Sequence, residues 1–360
     1  MSRTGHPGTP SVSLTRRAAL KSLAGGIGLV GGLRTSLAAA QTEGSSRFPK
    51  APPKNGYMEI GGVRIYYEEQ GQGIPVVLHP PGVSAAEVTR PGAAKLSRKY
   101  RVIAWDRPNV RGRSDVVFKG SSEVDLWADQ LDELLRRLDA RPAYLVGGSM
   151  GVRSHMAAAV RYPDIVRGVY IYLASGNTLW PRLPQNYWAT HADVADKGGM
   201  EAVIATEYWK DVIRRNPRNR DLLLKTDPKE FSRVMRRWTD FYKKDDIVLE
   251  VTEAQARRID ANGTPTRIIA GCDWDSSHTR AHSEMIKNAM PNAEYKDLPT
   301  FCDVYKKAKE DVTAWAKQHN EDDHGLPDQN PPYSTPYFEV QSLLDDIDEF
   351  IQKTEAKRKG

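Results

Sequence analysis

The chain has 360 residues, a formal net charge of +6 and a hydrophobic fraction of 39%, which is enough for one large domain or for a domain with a substantial insertion. The basic excess lies mainly in the first 40 residues, which contain five basic and no acidic residues, so that the remainder has a net charge of +1. The basic excess therefore does not argue for nucleic-acid binding, and we expect no nucleic-acid partner. The remainder also lacks an apolar run of the length that a bilayer requires.

Residues 1–40 have the features of an export signal. The segment 15–21 resembles the twin-arginine motif, a Gly-rich apolar run follows at 23–33, and three alanines at 38–40 offer a cleavage site. We therefore expect the mature chain to begin at Gln41, with a periplasmic or secreted location in a bacterium and no stable membrane anchor after cleavage.

The pattern after the signal changes three times. Residues 41–55 are rich in Pro, Ser and Lys and are predicted to be a linker. Strand and helix patterns alternate over 56–177, which predicts a mostly parallel sheet with helices on both faces. Helical, aromatic-rich segments dominate 178–262. Alternation then resumes over 263–360, where a polar, partly helical insert occupies 303–336.

A short apolar run at 143–146 leads directly into Gly147-Gly148-Ser149-Met150-Gly151, and a helical pattern follows. This order of strand, tight turn and helix is the context of a nucleophile elbow. Glycine at 147 and at 151 leaves room for a sharp turn. Ser149 would stand at a helix N-terminus, where free N–H groups favour developing negative charge. The pattern favours a nucleophilic Ser149 over an ordinary serine in a glycine-rich turn.

The order of elements resembles the α/β-hydrolase superfamily over nearly the whole chain after the signal. The elbow, the turn His79-Pro80-Pro81-Gly82 and the loop at 106–115 carry the resemblance. It implies an α/β fold with an eight-stranded, mostly parallel sheet and a helical cap at 178–262 that lies over the site. A serine at the elbow, in place of an aspartate, argues against dehalogenase or epoxide-hydrolase chemistry.

The resemblance also implies an acid and a base for Ser149. The acid belongs in the loop after the seventh strand, where Asp275 is favoured over Asp273 because relatives often have Gly-x-Trp-Asp there. The base usually follows the eighth strand within a few residues, but no histidine stands there in this chain. His324, in a Pro-rich loop before the last helix, is the first choice, and His278 is the alternate.

The oxyanion hole of such an enzyme needs two N–H donors. One is expected from Met150, directly after the nucleophile. The second usually comes from the turn after the third strand, but Pro80 and Pro81 have no N–H to donate. The second donor is therefore expected to be Gly82 or Val83.

The two cysteines, Cys272 and Cys302, follow strands that are neighbours in this fold. In an oxidising compartment they would form a disulfide, and the alternative of two free buried thiols stays open.

Together these patterns predict an exported serine hydrolase that cleaves an ester, lactone or related acyl bond of a medium-sized, partly apolar small molecule. A C–C or amide bond hydrolase would use the same residues. A catalytically silent binding protein and a cofactor-free, peroxidase-like enzyme are the alternatives from other classes. The sequence contains no metal-binding or nucleotide-binding motif, so we expect no cofactor and no metal site.

Overall fold

The computed structural model describes residues 55–179, 182–242, 245–318, 338 and 340–360. The predicted export signal and most of the predicted linker lie outside these residues.

Eight strands form one sheet in the order β1-β2-β4-β3-β5-β6-β7-β8. The two pairings that involve β2 are antiparallel and the other five are parallel. The predicted eight-stranded, mostly parallel sheet is therefore confirmed. The strands are β1 (Gly56–Ile60), β2 (Val63–Gln70), β3 (Pro75–His79), β4 (Arg101–Trp105), β5 (Ala143–Gly148), β6 (Val166–Tyr172), β7 (Thr266–Ile269) and β8 (Glu294–Lys296).

Helices connect the strands from β3 onwards and cover both faces of the sheet. No helix within the described ranges is long and apolar enough to cross a membrane. The helices are α1 (Arg90–Leu96), α2 (Glu123–Arg137), α3 (Met150–Arg161), α4 (Arg182–Pro184), α5 (Thr190–Ile204), α6 (Glu207–Arg215), α7 (Arg218–Lys225), α8 (Pro228–Phe241), α9 (Glu253–Ala261), α10 (Arg280–Ala289), α11 (Pro299–Gln318) and α12 (Gln341–Lys359).

The burial of the central strand β5 on both of its faces explains why its sequence is apolar throughout and does not alternate with polar residues. Side chains of a strand point alternately to the two faces of its sheet. Leu145 packs into the core on one face, and Tyr144 and Val146 pack into the core on the other. Because helices cover both faces, every residue of β5 is buried. The carboxyl end of β5, which Ser149 follows, lies at the end of the sheet where the connecting loops meet.

Helices α4 to α8 follow β6 and occupy the predicted cap region. They have an apolar cluster of their own, in which Trp209, Phe231 and Trp238 are fully buried. Tyr208 in α6 donates a hydrogen bond to the carbonyl of Asn109, in the loop after β4. This contact holds the helices against the carboxyl-end loops of the sheet, beside the elbow.

Candidate active site

Ser149 occupies a strained turn between β5 and α3. Its φ is 52° and its ψ is −121°, a conformation that is costly for a residue with a side chain. The turn is compact, because a Cβ on Gly151 would lie 3.0 Å from the Cβ of His79. The Ser149 N–H donates to the carbonyl of Leu173 at 3.0 Å, which holds the turn against the end of β6. The side chain is left partly exposed at the N-terminus of α3.

A histidine and an aspartate extend from Ser149 in a continuous hydrogen-bonded chain. His278 Nε2 lies 3.0 Å from Ser149 Oγ, and His278 Nδ1 lies 2.7 Å from Asp275 Oδ2. The other carboxylate oxygen of Asp275 accepts the N–H of Ser277 at 2.9 Å. Asp275 and His278, the favoured acid and the alternate base of the sequence analysis, therefore come from one loop, three residues apart, between β7 and α10. This is the geometry of a serine nucleophile with its base and orienting acid.

Asp275 is charged at neutral pH. Burial opposes its ionisation, but the hydrogen bonds from His278 and from the Ser277 N–H outweigh burial and lower the pKa of Asp275 well below its ordinary value. Lys309 Nζ, 4.0 Å from Asp275 Oδ1, acts in the same direction. A carboxylate can only accept, so His278 carries its proton on Nδ1. Its Nε2 is then free to accept the proton of the Ser149 hydroxyl.

The family comparison agrees with the fold. A family model described as "Alpha/beta hydrolase family" matches residues 76–329, more than two thirds of the chain. This chain belongs to the alpha/beta hydrolase family. It is a hydrolase of that fold, as its sequence resemblance implied.

Two curated relatives of this alpha/beta hydrolase match part of the chain. It is 35% identical over 113 residues to the 2-(acetamidomethylene)succinate hydrolase of Mesorhizobium japonicum, covering 31% of this chain and 40% of that protein. It is 34% identical over 124 residues to the 2-hydroxy-6-oxononadienedioate/2-hydroxy-6-oxononatrienedioate hydrolase of Escherichia coli, covering 32% of this chain and 41% of that protein. The matched segment thus spans about two fifths of these relatives.

Solved structures show the same fold. A thermophilic esterase from Thermogutta terrifontis matches with a TM-score of 0.52 at 17% sequence identity, covering 84% of this chain and 99% of the esterase.

Not every predicted site residue is brought to Ser149. Asp273, the alternate acid, is exposed and its carboxylate accepts a hydrogen bond from Arg280 at 2.8 Å. Asp275, the favoured acid, instead contacts His278. His278, the alternate base, is the histidine that contacts Ser149. His324, the first choice as base, lies outside the described residues.

The folding of the loop between β7 and α10 explains the position of His278. A Cβ on Gly271 would lie 2.3 Å from the carbonyl carbon of Thr279, so the two ends of the loop touch. Thr279 caps α10, its hydroxyl accepting the N–H of His282. Because the loop closes on itself, His278 lies near the end of β7, level with Ser149. The glycine and the capping threonine that flank the loop permit this closed shape, but neither indicates from the sequence alone that His278 reaches Ser149.

A disulfide joins Cys272 to Cys302, which resolves the alternative that the sequence left open. Cys272 lies in the loop that carries Asp275, and Cys302 lies in the first turn of α11. Tyr305, one turn further along α11, stacks at a tilt on Trp274 with ring centroids 5.1 Å apart. The disulfide and this ring contact hold α11 against the loop that positions the acid and the base.

The predicted oxyanion donors lie in the turn after β3 and at the start of α3. Gly82, with a φ of +53°, allows the turn after β3 to reverse direction. Within the described part of the chain, neither Gly82 nor Val83 donates its N–H to a protein acceptor. Met150 is the first residue of α3, and the first N–H groups of a helix have no intrahelical partner. These groups are therefore available as donors.

A small cavity lies between the sheet and the cap helices, next to the elbow. Its volume is about 20 Å³, which is room for about one water. Val83 and Met150 line it from the sheet side, with Glu123 as an acidic residue in the wall. Burial raises the pKa of Glu123 above its ordinary value. The aromatic residues of the wall are Trp127, Tyr187, Trp188, His191, Tyr208 and Trp209.

Metal ligation has no candidate cluster in the described ranges, where no group of three or more His, Cys, Asp or Glu side chains is arranged to hold an ion.

Proposed function

We propose that this protein is an exported serine hydrolase that cleaves an ester, lactone or related acyl bond through an acyl-enzyme. The observation that carries the proposal is the hydrogen-bonded chain from Ser149 through His278 to Asp275, with distances of 3.0 and 2.7 Å. His278 takes the role of the base in place of His324, because His278 Nε2 is already within hydrogen-bonding distance of the nucleophile.

The reaction has two halves. Ser149 Oγ attacks the acyl carbon while His278 Nε2 accepts its proton, and Asp275 stabilises the imidazolium that forms. The oxyanion is held by N–H groups of Met150 and of the turn after β3. His278 then gives its proton to the leaving oxygen, which departs and leaves an acyl-Ser149. Water then attacks this ester while His278 accepts its proton, and His278 returns that proton to Ser149 Oγ as the acyl–oxygen bond breaks and the acid is released.

The wall of the cavity supports a partly apolar substrate. Six aromatic rings surround the space next to Val83 and Met150, and aromatic walls with few polar groups are typical of small-molecule sites. A substrate that enters this space displaces cap side chains, since the cavity holds about one water. The substrate is therefore expected to bind with movement of the cap.

Two features support export. The first 40 residues have the pattern of a twin-arginine signal. The disulfide between Cys272 and Cys302 is a bond that persists in oxidising compartments. We propose a periplasmic or secreted enzyme on these grounds.

A second candidate is hydrolysis of a C–C or amide bond in a small carboxylate. It is favoured by the relatives, whose names describe hydrolases of a substituted succinate and of unsaturated dioates. The same serine, histidine and aspartate serve both candidates, so the nature of the substrate separates them.

The experiment that tests the proposal combines active-site labelling with turnover. The wild type, Ser149→Ala and His278→Ala are treated with a fluorophosphonate probe and assayed on p-nitrophenyl esters of graded length. Ser276→Ala is the matched control, because this exposed serine lies in the loop that carries the acid. We expect labelling and turnover in the wild type and the control alone. Folded wild type without a label on Ser149 would favour the silent binding protein. A label without ester turnover would favour the second candidate.

A further inference from the structure

The turn after β3 has all four of its carbonyl groups engaged. The carbonyl of Pro81 accepts the N–H of Ser84 at 3.3 Å, and that of Val83 accepts the N–H of Arg111 at 2.8 Å. The carbonyls of Pro80 and Gly82 both accept from one side chain described below. The N–H groups of Gly82 and Val83 meanwhile have no protein acceptor among the described residues. The turn is therefore held entirely through its carbonyls, and its donors are left available.

The side chain that holds the turn is Arg107. Its Nη2 donates to the carbonyl of Gly82 at 2.7 Å and to that of Pro80 at 3.1 Å. Its Nη1 lies 3.4 Å from the carbonyl of Met150. One guanidinium thus connects the two segments that carry the predicted oxyanion donors, and it fixes their separation.

Arg107 is itself rigidly placed. It is 1% exposed, and its guanidinium lies 4.6 Å from the ring centroid of Trp127. Burial, together with the nearby charge of Arg153, lowers the pKa of Arg107 to about 10, so the group stays charged at neutral pH. Hydrogen bonds from a charged donor are stronger than neutral ones, which suits a group that must hold backbone in place.

The geometry of the peptide between Gly82 and Val83 means that the contact of Arg107 with the Gly82 carbonyl also fixes the direction of the Val83 N–H. The carbonyl of Gly82 and the N–H of Val83 belong to the same trans peptide and point in opposite directions. When Arg107 holds the Gly82 carbonyl, the Val83 N–H must point away from Arg107. Val83 and Met150 line the same cavity beside the elbow, so both residues lie on its edge.

We propose that Arg107 is a positioning residue of the oxyanion hole and that the Val83 N–H is the donor that it orients. The inference rests on the proposed acyl-transfer function. It explains how a turn with two prolines still supplies a second donor. Arg107 does not touch the substrate and acts through the peptide between Gly82 and Val83.

The first test replaces Arg107 and compares it with a matched arginine. Arg101 also donates to two consecutive carbonyls, those of Leu138 and Asp139, at 2.7 and 2.9 Å. It lies at the start of β4, at the amino end of the parallel strands, whereas Ser149 lies at their carboxyl end. We expect Arg107→Lys and Arg107→Met to lower kcat by about 100-fold, as the loss of one oxyanion donor does, with KM changed by less than about threefold. Arg101→Lys keeps the wild-type kcat.

The second test removes the donor itself. The α-hydroxy analogue of valine at position 83 replaces the Gly82–Val83 amide with an ester, which deletes the Val83 N–H and also weakens the Gly82 carbonyl as an acceptor for Arg107. We expect kcat to fall by about 100-fold. The same replacement at Gly82, the other predicted donor, is the comparison, and we expect it to lower kcat far less than the replacement at Val83 does. In an Arg107→Lys background, the change at Val83 has little further effect, because the donor is already misplaced.

The outcomes separate this inference from the function on which it rests. If Ser149 of the folded wild type takes no phosphonate label, both the proposed function and the role of Arg107 are refuted. A labelled wild type in which the ester at Gly82, and not at Val83, lowers kcat overturns the assignment of the donor. Losses at Arg107 and Val83 that multiply in full overturn the positioning role, since they would be independent. If the Arg107 variants do not fold, the ester pair at Gly82 and Val83 in the wild-type chain still decides the donor.

Discussion

Replacing Asp275 with asparagine tests how the site uses its buried carboxylate. The side-chain carbonyl of the introduced asparagine can still accept the N–H of Ser277, which the aspartate accepts at 2.9 Å, so the loop keeps this bond. Its amide would then face His278 Nδ1, which Asp275 contacts at 2.7 Å. An amide N–H donates, so Nδ1 must accept and the imidazole proton moves to Nε2. That nitrogen can then no longer take the proton of Ser149.

The expected loss is about 10⁴-fold in kcat, which is the effect of this tautomer change in a serine triad. At about 1.36 kcal/mol per tenfold, the loss corresponds to about 5 kcal/mol of transition-state stabilisation. The assay is steady-state turnover of the best p-nitrophenyl ester at neutral pH, together with the rate of fluorophosphonate labelling. Both rates fall together, since both need a deprotonated Ser149.

Asp273→Asn is the matched control. Asp273 lies two residues away in the same loop, but it is exposed and pairs with Arg280, so its replacement should change kcat by less than about twofold. The reasoning would be refuted if Asp275→Asn stayed within about tenfold of the wild type, or if the two variants lost comparable activity. Either result would mean that the carboxylate near His278 does not determine its tautomer.

Three further predictions concern stability. Burial lowers the pKa of His191 to about 4, against about 6.5 in the unfolded chain, so the contribution of this neutral histidine to stability is fully present above pH 6.5 and is lost as the pH falls towards 4. In urea unfolding, the free energy of unfolding should fall by about 2 kcal/mol less between pH 7 and pH 5 in His191→Phe than in the wild type. Replacing Cys272 and Cys302 with alanine should lower the free energy of unfolding by about 3 kcal/mol, and excess reductant should bring the wild type to the same value. Arg153 and Glu250 form a fully buried ion pair; Glu250→Gln should cost about 3–5 kcal/mol in urea unfolding, and Arg153→Met with Glu250→Leu should cost less than Glu250→Gln alone.

The sequence predicts the sheet and the elbow well because both depend on local signals. The apolar run of β5 and the glycines around Ser149 each act within a few residues of their own position. The side-chain burial of β5 on both faces follows from its run of apolar residues. The predicted alternation of strands and helices therefore agrees with the observed layers, and it places Ser149 at the carboxyl end of the parallel strands.

The position of His278, the proposed base, is harder to predict because it depends on how a loop closes. The residues from Asp275 to His278 read as an ordinary polar turn, and nothing local shows that His278 reaches Ser149, 129 residues away. The usual place for the histidine, after the last strand, is taken here by α11, which begins at Pro299, three residues after β8 ends. The close contact of Gly271 with Thr279 is a tertiary fact that the pattern does not state.

Bringing acid and base into one loop changes what the site depends on. When the two residues come from separate loops, their distance depends on how two strands are placed. Here it depends on one short turn, held internally by the contact of Asp275 with the Ser277 N–H and externally by the disulfide from Cys272 to α11. Only the distance from His278 to Ser149 then depends on how two separate parts of the chain, this loop and the turn after β5, are placed. If His278 is the base, as we propose, the chain after β8 does not have to supply it, and α11 contacts the loop through Tyr305 and Lys309. The disulfide is therefore expected to maintain the orientation of the base as well as the stability of the fold.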